Sequence, residues 1–563
     1  MNPLVSKIAL RFGATAGTPE LTFDAGAVNI IVGPNNSGKS LLLREINDYF
    51  REGLPLDRCQ ILKQIEFAEG ATAAAIEDVQ THIQLQGTAG EQPPQGHVFV
   101  VKNGESQAVV ENPLRSWLSS RGASDPHNFF RLFLKFNTIK LDGPNRIGLV
   151  SEREIGDLQG APKNRLVQLF TNDSARETMR TVIHDALGVY LVLDPTKLGK
   201  LRIRLADRPP SNVLEEKGIH PEAVDFHKRA LSIAAASDGV KAFCGIMVEL
   251  YAGDPQVLLI DEPEAFLHPA LAFMLGRAVA AKARASGKQL FVSTHSASFL
   301  LGCIQSGAPV NVVRLTYSKR VPTSRLLPSS KLTTLMRHPL LRSTGVVNGL
   351  FYEGVAVTEG DPDRAFYTEI NERLLQHAPN AAARNCLFLN AQNKQTIHQI
   401  IRPLRELGIP AAAIVDIDVV KEGGSVWSNL LSACGIASAL VQPLGTMRAT
   451  IKTAFENTGK NMKTEGGIEL LSGDDRRVAQ ELFDTLRAHG IFVVTGGELE
   501  SWLKSTNVGS GHGPAWLIQA FEALGEDPSA PNYMKPTQGD VWQFIQEVAE
   551  WLANPGRKGM ILT

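Results

Sequence analysis

Short apolar runs recur along this chain, and each one stops at a glycine, a polar residue or an acid instead of extending. Val28-Asn29-Ile30-Ile31-Val32, Val257–Ile260 and Leu290–Ser293 form one set; Val355–Thr358, Cys386–Leu389 and Ala411–Val415 form another. Runs of this length between turn residues predict strands buried on both faces, as in a parallel sheet. Ser40–Phe50 has the apolar spacing of a helix. The pattern therefore predicts an α/β protein with two separate sheets. Residues 51–230 break the alternation, mixing helical pieces such as Asn164–Gly188 with a Gly/Gln/Pro-rich stretch at Gly87–Gly96. Helical insertions and dimerisation elements are expected there. The tail from Gly511 reads as helical, with Trp516, Trp542 and Trp551 as core residues. The expected domains are 1–345, a smaller α/β domain at 346–510, and a helical segment at 511–563 packed on it.

Composition changes this picture little. At 563 residues, 43% hydrophobic and 20% charged, the chain has the profile of a soluble protein of two to four domains. A net charge of -1 excludes a globally basic coat, so any nucleic-acid surface is local. The five cysteines have neither disulfide-framework nor zinc spacing, which fits a reducing cytosol. The first residues lack an apolar signal core, and no run approaches the ~18 residues of a membrane span. A cytoplasmic protein with no membrane partner is expected.

Gly33-Pro34-Asn35-Asn36-Ser37-Gly38-Lys39-Ser40 lies between an apolar strand and a helix. Its glycines let backbone N–H groups close around phosphate oxygens, Lys39 reaches the terminal phosphates, and Ser40 can ligate magnesium. Asp261-Glu262 follows the apolar run Val257–Ile260. Asp261 is placed to hold the magnesium of bound ATP, and Glu262 to orient or deprotonate water. His295 ends the next run, where it can sense the γ-phosphate.

A second acidic cluster has different chemistry. Glu359 ends one strand of the later set, and Asp416 and Asp418 end another. Side chains at the C-terminal ends of parallel strands converge on one crevice. Positions 416 and 418 share a side if the backbone stays extended. Three hard oxygen ligands suit Mg²⁺ or Mn²⁺.

Asp261-Glu262-Pro263-Glu264 with Leu267-His268-Pro269, together with His295, resembles the ABC-type ATPases of the RecF and SMC kind. In that resemblance Ser237 and Gly239 stand where the signature loop would cap ATP held by another subunit, so ATP would stabilise a dimer of heads. Glu359-Gly360-x-x-Asp363 with Asp416-x-Asp418 resembles a Toprim domain. The two together resemble the OLD (overcoming lysogenization defect) family of ATP-dependent nucleases, which includes phage-defence proteins. The resemblance implies an ATP-regulated, metal-dependent DNA endonuclease working alone or with a companion helicase or effector. It further implies that Asp363 and Glu500 extend the metal site, with Glu498 as rival, and that a late lysine, Lys558 or else Lys504, completes it. The alternatives are an ATP-dependent nucleic-acid clamp or sensor without cleavage, and a nuclease acting on RNA such as tRNA.

Charge patterning adds one feature. From Ala265 to Tyr352 there is no Asp or Glu, where the chain average would give about nine. Part of its basic set, Arg314, Lys319, Arg320, Arg325, Lys331, Arg337 and Arg342, is expected to contact the phosphates of duplex DNA.

Overall fold

The computed structural model describes residues 3–53, 55–87, 91–102, 105–159, 162–504, 508 and 513–560. Parts of two expected segments, 88–90 of the Gly87–Gly96 stretch and 511–512 at the start of the tail, lie outside them. Apart from two short loop segments, the chain divides into two compact units, with the boundary between Ser329 and Ser330.

The first unit is built on a six-stranded sheet. In spatial order its strands are Val321–Leu327, Val310–Ser318, Val28–Val32, Gln289–Ser293, Val257–Asp261 and Thr138–Leu141. Val28–Val32 is buried at every residue and pairs in parallel with strands on both sides. The expected strands are in place, and the helix after the phosphate loop spans Lys39–Glu52. Thr138–Leu141 (Thr-Ile-Lys-Leu) is short and interrupted by Lys140, yet it closes one edge.

Residues 51–230 are not helical insertions alone. Leu62–Phe67 pairs antiparallel with Val5–Leu10, which also pairs with Thr22–Asp24. His97–Lys102 pairs with Ile83–Gln84 and Glu105–Val110, and Tyr190–Asp194 with Lys200–Ala206. Lys200–Ala206 among them alternates polar and apolar residues, because one of its faces is less buried. The single helical piece expected at Asn164–Gly188 is two helices, Arg165–Thr171 and Asp173–Leu187. Asn172 separates them by accepting the Ala175 N–H at 3.0 Å, a local bond that competes with helix continuation.

The second unit has a four-stranded parallel sheet in the order Cys386–Asn390, Gly354–Thr358, Ala411–Asp416, Ile491–Val494. Helices Pro514–Leu524 and Asp540–Ala553 close one side of its core, where Trp516, Trp542 and Trp551 are all buried as expected. Arg405, wholly buried, ties several segments together. Its guanidinium donates to the carbonyls of Ala411 (2.7 Å), Cys434 (2.9 Å), His489 (2.9 Å) and Gly559 (2.6 Å), and it lies over the Trp551 ring. Replacing Arg405 with Met leaves those buried carbonyls without a donor. The expected loss is at least about 3 kcal/mol in the unfolding transition of this unit, measured by urea denaturation.

Candidate functional sites

The loop Gly33–Ser40 leaves a strand buried at every residue and turns into the Lys39–Glu52 helix. Gly33 (φ 143°) and Gly38 (φ 93°) take backbone conformations closed to most side chains, and a Cβ on Gly38 would lie 2.5 Å from Ile61. Ser37 Oγ is buried and has no partner among the described residues, as expected of a group aimed at a ligand. Ser40 Oγ donates to Asp261 Oδ1 at 2.9 Å, so the two groups that would share the magnesium of bound ATP already meet. Burial lowers Lys39 to about 8 despite the pull of Glu262, Asp261 and Glu264. Desolvation of this kind is reversed by an incoming phosphate.

Glu262 follows Asp261 with φ 49°, the left-handed region that costs a non-glycine residue roughly 1–2 kcal/mol. Its carboxylate lies 3.2 Å from His295 Nε2, and Glu264 accepts the His295 N–H at 2.6 Å. Burial, then Lys39, lowers the His295 pKa, which favours a neutral ring. Ser237 is exposed and caps the Asp238–Ala252 helix, while Gly239 passes so close to Phe266 that a Cβ would lie 2.5 Å from its carbonyl oxygen.

In the second unit, carboxylate oxygens of Glu359, Asp416 and Asp418 lie within 4.8 Å of one another. Glu359 accepts the backbone N–H of Asp416 at 2.9 Å, so the two strand ends lock together. Asp418 arrives by another route than the one expected. The chain leaves extended geometry after Asp416 and forms a 3₁₀ turn over Ile417–Lys421. That turn, and not strand alternation, carries Asp418 back to the cluster.

Burial, then Asp416, raises Glu359 to about 8, and burial with Asp416 raises Asp363 to about 7. Asp363 accepts the Gly360 N–H at 3.1 Å and feels the charge of Glu500. Glu500 itself accepts the Gly513 N–H at 2.9 Å. Asp418 Oδ1 is buried and has no partner among the described residues. An all-oxygen donor set with one orphaned oxygen fits Mg²⁺ or Mn²⁺.

Family comparisons cover part of each site: one match holds Asp261, Glu262 and His295 but not the loop Gly33–Ser40, and the other holds Glu359, Asp363, Asp416 and Asp418. Residues 112–301 match the family "AAA domain, putative AbiEii toxin, Type IV TA system", and residues 350–418 match "Overcoming lysogenization defect protein-like, TOPRIM domain". An AAA-type ATPase match is thus followed along the chain by an OLD-like Toprim match. That is the domain order expected of the OLD family. No curated protein sequence matches the chain. Among solved structures, an SMC head bound to the C-terminal winged-helix domain of ScpA is similar at 15% identity and a TM-score of 0.33, over 59% of this chain and 100% of that one. The SMC head domain from Thermotoga maritima is similar at 14% identity and a TM-score of 0.29, over 58% and 100%.

The lysine beside the acids is not Lys558 or Lys504. Lys558 lines a surface groove with Arg476, Arg477 and His489, and no ion pair joins it or Lys504 to the acids among the described residues. Lys463 stands at the acids, 2.8 Å from Asp416 and 3.0 Å from Glu498. Burial works against its charge, but Asp416, Asp418 and Glu498 hold it protonated. Lys394 sits 2.6 Å from Asp418. Both come from loops whose sequence carries no apolar run or motif, so only the fold reveals them.

The basic stretch is also not one surface. Arg314 lies on a central strand and is buried, Arg325 is half-buried with burial lowering its pKa, and Lys331 pairs with Glu406 at 3.2 Å. Those three are withdrawn as phosphate contacts. Lys319, Arg320, Arg337 and Arg342 are exposed.

A divalent ion needs Glu359 ionised, and below about pH 8 a proton competes for it. Mn²⁺ affinity, followed by calorimetry, is expected to rise with pH by up to about tenfold per unit from pH 6 towards pH 8, then level off. A flat profile would remove Glu359 from the ligand set.

Proposed function

We propose that the protein is an ATP-regulated, divalent-metal-dependent DNA endonuclease that cuts at its Toprim site. The observation that carries the reading is the carboxylate trio Glu359, Asp416 and Asp418 flanked by Lys394 and Lys463. Acids alone at strand ends are common; acids with two half-buried ammonium groups make a site for a phosphodiester, with cations already opposite where its oxygens would sit. Glu359, Asp416 and Asp418 would hold Mg²⁺ or Mn²⁺, with Asp363 and Glu500 available for a second ion. When bound, the metal supplies charge neutralisation for the phosphate and a lowered pKa for water. Lys463 would neutralise charge on the phosphate, and Glu498, at 3.0 Å, keeps the ammonium in place.

In the ATPase domain, Lys39 and the loop Gly33–Ser40 would bind ATP phosphates, and Ser40 with Asp261 would hold its magnesium. Glu262 and His295 would act on water at the γ-phosphate. Ser237, exposed at the start of its helix, with the buried Gly239 behind it, would cap ATP on a second copy, making nucleotide a control on assembly. The DNA contacts reduce to Lys319, Arg320, Arg337 and Arg342, whose exposed charges would meet backbone phosphates. A companion helicase or effector and a role in phage defence fit this layout.

Purified protein with plasmid and Mn²⁺ or Mg²⁺ is expected to nick or cut the DNA. Glu359→Ala should abolish cleavage, whereas Lys39→Ala should alter only its nucleotide dependence. No cleavage under any metal or nucleotide condition would replace the nuclease with a clamp or sensor, and cleavage of tRNA alone would move the substrate to RNA. Replacing Lys319 and Arg320 together with Glu should weaken DNA binding and reduce the slope of log K against log salt by about 2. An unchanged slope would take the turn out of the DNA surface.

A further inference from the structure

Arg146 lies outside every nucleotide motif, on the short helix Gly143–Gly148 that follows the edge strand Thr138–Leu141. Its side chain is nevertheless 1% exposed. One guanidinium nitrogen, Nη1, donates to the carbonyls of both Asp261 (3.0 Å) and Glu262 (2.9 Å). These are the two carboxylates of the ATP site, gripped by their backbone.

Three facts make the grip more than a structural tie. Glu262 has a left-handed backbone, which persists only where the surroundings over-determine it. Its N–H donates to Ser293 at 3.0 Å, and its carbonyl accepts from Ala265 as well as from Arg146, so the strained peptide is fixed on both sides. The Glu262 side chain is left half-exposed, and among the described residues its one polar contact is its approach to His295. Its aim therefore depends on the backbone.

Arg146 also meets the helix that begins with Ser237. Gly245 of that helix packs so tightly that a Cβ there would lie 1.9 Å from the Arg146 carbonyl oxygen. The same helix touches Phe266 through Gly239. A shift of the Asp238–Ala252 helix is therefore passed to Arg146 and from there to the Glu262 peptide.

We propose that Arg146 is a positioning residue for ATP hydrolysis, holding the strained Glu262 backbone so that its carboxylate faces the attacking water, and linking that carboxylate to the Asp238–Ala252 helix. The inference rests on the ATPase reading above.

The test compares wild type, Arg146→Met, Arg146→Lys and Glu262→Gln, measuring steady-state ATP hydrolysis, fluorescent-ATP affinity and thermal unfolding. Arg146→Met is expected to lower kcat about 10- to 100-fold, with nucleotide affinity within about twofold of wild type. Arg146→Lys, which can still reach one carbonyl, should recover part of the rate. Arg146→Met added to Glu262→Gln should cost little more than Glu262→Gln alone, since both act on the same group.

An unchanged kcat, an equal loss of affinity and rate, or a full further loss on top of Glu262→Gln would overturn the proposal. Should Arg146→Met fail to fold, Arg146→Lys decides: a lower kcat at unchanged affinity and unfolding temperature supports positioning, and a wild-type kcat overturns it. Wild-type protein that binds ATP without hydrolysing it would overturn the ATPase reading and this proposal together. Wild-type turnover left intact by Arg146→Met overturns the proposal alone.

Discussion

Like charge confined to a small volume is the constraint on which the second unit depends. Two carboxylates at about 4.8 Å repel by roughly 3–4 kcal/mol at the effective dielectric of a protein surface, and the Glu359, Asp416 and Asp418 cluster contains three such pairs. The fold answers in three ways. Glu359 takes a proton more readily, because burial and Asp416 raise it to about 8. Lys463 and Lys394 place ammonium groups against Asp416 and Asp418. The Asp416 N–H donates to Glu359, which spends a backbone group at a strand end where no ladder partner competes for it. A site that holds its own repulsion in check with a displaceable proton and paired lysine heads is one that a divalent cation can take over.

What the sequence disclosed follows from which interactions are local. The strands were legible because a strand buried on both faces must be apolar throughout, as Val28–Val32 and Val257–Ile260 are. Acids at the ends of such strands were legible for the same reason, since a carboxylate after a run of buried residues needs an explanation. Thr138–Leu141 was not legible. As an edge strand of four residues it has a polar member and no long run. Lys463 and Lys394 were not legible either, because a lysine in a loop advertises nothing about the carboxylate it will meet. The expected Lys558 and Lys504 shared that weakness, and distance along the chain carried no information about distance in space.

The basic stretch teaches the complementary lesson. Absence of acid across residues 265–352 is a property of composition, and it survived folding as at least two different things. Arg314 is part of a strand interior, and Lys288 donates to the Gly253 carbonyl. Lys319 and Arg320 sit exposed in the two-residue turn between Val310–Ser318 and Val321–Leu327, both with positive φ. Charge counted along a sequence gives the long-range field, whereas a phosphate contact needs a head group that is out of the protein and uncommitted. Only the second property selects a DNA surface.

Both sites share one construction, and it accounts for how two unrelated chemistries fit on one chain. Each begins with a carboxylate on the last residue of a parallel strand, Asp261 or Asp416, and each continues with an abrupt departure from extended backbone. At Glu262 the departure is a left-handed residue held by Arg146 and Ser293; after Asp416 it is the 3₁₀ turn that returns Asp418. A strand that simply ended would send its next side chain away from the crevice. The irregular residue turns a single strand-end acid into a pair, and the neighbouring strand, through His295 in one unit and Glu359 in the other, supplies the group that faces it. The strained or tightened backbone is thus the part of each site that chemistry requires and packing alone would remove.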